Sequence, residues 1–254
     1  MFVDPKVAFR DQIALPEDRI DLLLAALLIA ADEDPKLDIS HYVSLVNGWC
    51  SDIRRKLPRR TNTESLLQHL NRFLFEELGF AGDMDNYYHL RNSLINEVID
   101  RRKGIPITLS MLYMELGQCL GLRLSGVSFP GHFLVKLPYK GGEVVLDPFN
   151  RGVSLSEDDL HARLREQFDT EVSDFGPLLS AASKKDILYR LLNNLKAIYT
   201  KQEAFEKNLA VMNKILIVNP ELGDEYRDRG LLLHKLECHN AALNDLSHYL
   251  NVRP

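Results

Sequence analysis

Cysteine is scarce in this chain: Cys50, Cys119 and Cys238 are the only three in 254 residues, and no two stand as Cys-x-x-Cys. So sparse and odd a set fits neither a disulfide framework nor a zinc site, and points to buried thiols in a reducing cytosol. Long apolar runs are missing as well. The longest, residues 22–31, holds ten residues between Asp21 and Asp32, whereas a bilayer span needs about 20. The opening MFVDPKVAFRDQ has acids at Asp4 and Asp11 and no apolar stretch, so no secretory signal is expected. There is no basic excess: 31 Lys and Arg face 36 Asp and Glu, a net charge of −5. That balance argues against a general nucleic-acid binder. Nor is there a glycine-rich phosphate loop, since Gly141-Gly142 is not followed by Lys-Ser/Thr. His234, His239 and His248 lack the i, i+4 spacing with a carboxylate that a metal site would use. No cofactor and no metal are therefore expected. What is present is an ordinary globular balance, 45% apolar and 26% charged, which excludes a disordered chain. The composition reads as a soluble, cytoplasmic protein without a membrane or nucleic-acid partner.

Residues 16 to about 103 read as helical. Pro16, followed by Glu17 and Asp18, opens a segment in which Ile20, Leu23, Leu24, Leu27 and Leu28 recur at helical spacing, and Pro35 ends it. A second helix is predicted over 40–57, with Tyr42, Leu45, Val46 and Trp49 inward. A third follows Thr63 and carries Leu66, Leu67, Leu70, Phe73, Leu74 and Leu78. Leu94, Val98 and Ile99 carry a fourth, running into Arg101, Arg102, Lys103 and Gly104. Cations and then glycine suit a helix C-terminus. The neighbouring cluster Arg54, Arg55, Lys56, Arg59 and Arg60 reads as a solvated face.

From Gly104 to about Leu155 the pattern changes. Pro106 starts a helix through Gln118 that Gly121 closes. Strand-like runs follow at 124–129, 133–137 and 143–146, with Gly141-Gly142 as the turn of an antiparallel hairpin. One helix followed by antiparallel strands is an α+β layout. Residues 176–186 lack periodicity and read as a linker. Beyond them the sequence matches itself at an offset of 34 residues: Leu209 with Leu243, Leu216 with Leu250, Val218 with Val252 and Pro220 with Pro254. That is the tetratricopeptide period, although the usual Trp and Gly-x-x-Tyr are absent. Two such units are fewer than a free-standing array needs, so this tail is expected to pack on the central region.

Chemistry concentrates at His132, in FPGHFLV, and Asp147, in VVLDPFNRG. A hairpin turning at Gly141-Gly142 brings the two across from each other. A carboxylate beside an imidazole fixes its tautomer and raises its basicity, the orienter and base of a catalytic triad. The same pair also serves as a structural hydrogen bond elsewhere.

The stretches NSLINEVIDRRKGIPITLSMLYMELGQCLGL, GVSFPGHFLVKL and LDPFNRG resemble the bacterial transglutaminase-like proteins with a C-terminal tetratricopeptide tail, the SirB-type family. The resemblance extends upstream over ALLIAADEDPKLDISHY and downstream over DRGLLLHKLECHNAALNDLSHYLNVRP. It implies a transglutaminase-like (papain-like) α+β core preceded by a helical segment: residues 1–175 with the core at about 90–155, the linker 176–186, and two repeat units over 187–254. The wider fold uses a Cys–His–Asp triad, its Cys at a helix N-terminus where the dipole favours the thiolate. By that resemblance His132 stands for the His and Asp147 for the Asp, while the nucleophile position falls at Pro106. Proline suits the first helical position but offers no nucleophile. Ser110, one turn on and nearly on the same face, and Thr108 are the hydroxyls left to substitute, against the plainer role of bonding a free backbone group. Two readings follow. One is a non-catalytic scaffold or regulator that binds a protein or peptide. The other is an acyltransferase or amide hydrolase with Ser110 or Thr108 as nucleophile, His132 as base and Asp147 as orienter.

Overall fold

In the computed structural model the described residues are 4–57, 61–168, 172 and 174–252. The N-terminal half is helical. Helix α1 spans Pro5–Ile13, α2 Leu22–Ala30, α3 Ile39–Arg55 and α4 Thr63–Asn71, the last continuing as a π-helical stretch over Arg72–Glu77. Asp4, Asp21, Asp38 and Asn62 cap them, each side-chain oxygen accepting a backbone N–H of the first turn. Pro16 proves to precede a short 3-10 turn (Glu17–Arg19), and the helix itself starts after Asp21. Helix α1 went unread in the sequence because it has only two buried residues, Phe9 and Ile13.

Two short strands, β1 (Ala81–Gly82) and β2 (Lys103–Gly104), pair in parallel on either side of α5 (Ile95–Arg101). Helix α6, Pro106–Cys119, follows at once with Pro106 at its first position. Ten of its fourteen residues are buried, the mark of a helix enclosed on all sides. It packs against α2, α3, α4 and α5 and against the sheet. Tyr113, fully buried, donates its hydroxyl to Asn71 Oδ1 at 2.7 Å, and burial pushes its pKa up.

The sheet is the antiparallel meander β3 (Ser125–Val127), β4 (Leu134–Tyr139), β5 (Gly142–Asp147) and β6 (Val153–Leu155), in that order. The hairpin turns at Lys140 and Gly141, with φ of 47° and 83°. Two positive values make it a type I′ turn, whose twist matches the strands. The α+β architecture is thus as expected, with additions that the sequence reading did not contain: α1, the β1–β2 pair, β6, and α7 at Glu157–Phe168.

The chain ends in two helical hairpins, α8 (Lys184–Lys201) with α9 (Phe205–Val218) and α10 (Gly223–Lys235) with α11 (His239–Val252). Their inner turns contain Glu203 and Glu237, both at positive φ, so the 34-residue offset is a structural repeat. Pro254 lies outside the described residues. The first hairpin packs onto the rest and the second packs on α9. One apolar core runs from Phe9 through Tyr113 to Leu191, Ile215 and Val218.

The cysteines require a correction. Cys50 on α3 and Cys119 at the end of α6 form a disulfide, their Cα atoms 5.6 Å apart, and Cys238 is free and exposed. Helix packing brings together thiols 69 residues apart, which linear spacing does not reveal. The basic run at 101–103 is not merely solvated either. Arg101 pairs with the buried Asp83 at 3.1 Å, and the Arg102 guanidinium lies over the rings of both Trp49 and Phe80. Arg59 and Arg60 lie outside the described residues.

Candidate functional site

Strand β5 ends at Asp147, whose side chain is fully buried. The observed register sets Val135 against Leu146. His132 therefore stands in the turn before β4, two residues short of the position opposite Asp147, and still reaches it: Nε2 lies 2.9 Å from Asp147 Oδ1. The turn is tight, with His132 N–H donating to Phe129 O at 3.1 Å and Gly131 at φ 66°. The positive φ is what favours glycine at 131; a Cβ there would meet only the mobile end of the exposed Gln167 side chain.

Asp147 does more than orient His132. Its Oδ1 also accepts from the backbone N–H groups of Phe149 at 3.1 Å and Asn150 at 3.3 Å, capping the short turn Pro148–Asn150. Its Oδ2 accepts from Arg163 on α7. Burial alone would push the carboxyl pKa up. The bond and charge of His132, joined by the Arg163 guanidinium, more than offset this and hold it below the usual aspartate value. With Nε2 turned to a carboxylate, Nδ1 is the nitrogen left for a ligand. Pro130, His132, Arg163, Glu166 and Gln167 line a cleft of about 330 Å³. Phe149 stands edge-on to His132 at 5.8 Å, wedged over Gly82 and against Tyr87.

The other sequence candidates do not join this pair. The Thr108 hydroxyl accepts Ile105 N–H and lies within bonding distance of Asn92 O and Ile105 O, completing the first turn of α6. Ser110 is fully buried, and its hydroxyl has no partner among the described residues. Pro106 is buried at the helix start. Arg163 was missed from sequence. The signal was there in Ser156-x-x-Asp159, which forms a capping box ahead of Leu160 and Leu164 and so announces α7.

A family model described as the transglutaminase-like superfamily matches residues 40–193, and one described as the tetratricopeptide repeat matches 195–254. The chain belongs to the transglutaminase-like superfamily. Relatives cover nearly the whole of it. A UPF0162 protein of Xylella fastidiosa is 38% identical over 241 residues, 94% of this chain and 86% of its own length. Protein SirB1 of Salmonella typhimurium is 28% identical, covering 92% and 85% of the two chains. The UPF0162 protein YchA of Escherichia coli is 29% identical over the same shares. The SirB-type resemblance is therefore borne out. No solved structure matches the chain. In this transglutaminase-like protein a tetratricopeptide region, a scaffold suited to protein–protein contacts, follows the domain that carries His132 and Asp147. Among the described residues no helix is long and apolar enough to cross a membrane.

Proposed function

We propose that this chain is a non-catalytic, peptide-binding member of its superfamily, with residues 1–175 and 187–254 as the two functional parts. One observation carries the reading: among the described residues His132 has a carboxylate beside it, itself paired with an arginine, and no nucleophile bonded to it. The position the superfamily gives to cysteine is held by Pro106, the Thr108 hydroxyl is committed to backbone groups, and Ser110 is enclosed in the core. A working pair needs roughly 2.6–3.2 Å between nucleophile and base, and neither hydroxyl bonds to His132 among the described residues. Asp147, four times hydrogen-bonded, then holds the 148–150 turn and α7 in place around an open cleft. The tetratricopeptide tail supports a protein or peptide partner.

The test is a turnover assay on the full-length protein with fluorogenic esters and anilides, with and without a primary amine acceptor, beside His132→Ala. The reading expects no His132-dependent hydrolysis or amine incorporation. Turnover that disappears in His132→Ala would establish an enzyme, with His132 activating water or a hydroxyl.

A further inference from the structure

A second cleft lies away from His132. It measures about 580 Å³ and lies where the first turns of α8 face Ser128 and the segment 177–182, within the usual range of ligand sites. Its wall carries Arg190, a partly buried guanidinium. Arg190 Nη1 donates to Ser128 Oγ at 2.9 Å and to Phe129 O at 3.1 Å. Those two acceptors are neutral. Among the described residues no carboxylate pairs with Arg190; Asp186, one turn back on α8, is taken by the capping box of Ser183. Desolvation lowers the Arg190 pKa; the nearby Tyr87 phenol opposes this only in part and, its own pKa raised by burial, carries no charge at neutral pH. A cation removed from water and left without a counter-charge is costly, and the open side of its cleft is where a counter-ion can enter.

Next to it on α8, Asn193 and Asn194 line the same cleft, half-buried, with no hydrogen-bond partner for either amide among the described residues. Each offers a donor and an acceptor, the pairing a peptide unit asks for. Tyr189 and Asn193 also line the next cleft along α8, so the surface continues toward the face between α8 and α10. A guanidinium fork suits a carboxylate, and flanking amides suit a peptide backbone.

We propose that this cleft is a docking site for a peptide carboxylate, with Arg190 taking the carboxylate and Asn193 and Asn194 the adjoining peptide units. The proposal rests on the peptide-binding reading and gives it a location and a chemistry. The carboxylate comes either from the free C-terminus of a partner or from an acidic side group, and the probes separate the two. Fluorescent decapeptide libraries are titrated against the full-length protein in four matched sets: neutral and amidated, neutral with a free C-terminus, amidated with one glutamate, and amidated with one lysine.

The carboxylate-bearing sets are expected to bind best. Arg190→Gln should weaken them about tenfold or more, as loss of a charge-assisted pair does, while Arg190→Lys keeps part of the affinity. Because Arg190 also bonds Ser128 and Phe129, Asn193→Asp is the second variant. It disturbs no internal bond and sets a negative charge in the cleft, so it should repel the carboxylate sets and leave the melting temperature unchanged. Binding that is indifferent to the carboxylate and to both variants overturns the site and leaves the peptide-binding function standing. If no set binds, the carboxylate site falls, and the turnover assay decides the wider reading separately.

Discussion

Asp147 is the residue on which the site turns, because one buried carboxylate holds His132, Arg163 and the 148–150 turn together. Asp147→Asn removes the charge and leaves Arg163 without its partner, which should cost about 3 kcal/mol of stability at neutral pH. The pH dependence has a definite sign. The folded carboxyl titrates below its unfolded value, so its stabilisation is complete above about pH 4 and is lost as the pH falls through the folded value. Denaturant melts of the two proteins should therefore differ most at neutral pH and converge on acidification. A constant gap would contradict the pairing. The two hydroxyls on α6 should part company. Ser110 hides an unsatisfied Oγ, so Ser110→Ala should be neutral or stabilise by up to about 1 kcal/mol. Thr108→Ala leaves Ile105 N–H unbonded and should cost about 1–2 kcal/mol. Equilibrium unfolding of both variants measures the difference.

At the scale of elements, the sequence declared what local rules control. Pro106 at a helix start and an apolar α6 were legible, as was a hairpin with glycine at its turn. The turn residues proved to be Lys140 and Gly141 rather than the glycine pair, because a two-residue type I′ loop places Gly142 in the strand. Two kinds of feature were hidden. Helix α7, with only Leu160 and Leu164 buried, has too narrow an apolar stripe for periodicity to find, and only its capping box gives it away. The pairing of Cys50 with Cys119 depends on how α3 crosses α6, information that no spacing contains. The disulfide makes a direct prediction. A thiol reagent should titrate one cysteine, Cys238, in the native protein and three after reduction and unfolding. Reduction should destabilise the fold by about 2–4 kcal/mol. Three reactive thiols in the native protein would refute the pairing.

Across the whole molecule, α8 and α9 are fastened to the N-terminal helical segment. Lys214 of α9 pairs with Asp32, Tyr199 donates to Glu33 at 2.6 Å, and the Lys184 ammonium donates to Asp18 O and Ile20 O. Lys214 is 3% exposed, so Asp32→Ala would strand a buried cation. The expectation that the repeat tail leans on the central region is met by its first unit, α8 and α9, which shares this core, while α10 and α11 pack on the first unit. A main core that joins the N-terminal helices, α6 and the first repeat unit implies that these unfold together. Fluorescence of the lone tryptophan, Trp49 on α3, should melt at the same temperature as far-ultraviolet ellipticity, to which the repeat helices contribute. A separate earlier loss of ellipticity would show the tail to be independent.

Covalent labelling asks whether His132 has an activated hydroxyl beside it. The full-length protein and His132→Ala are incubated with a fluorophosphonate, which phosphonylates activated hydroxyls, and the intact masses are compared. The account predicts that both proteins keep their unmodified mass. A single adduct mapped to Ser110 or Thr108, present in the native protein and absent from His132→Ala, would contradict it and restore the acyl-transfer enzyme.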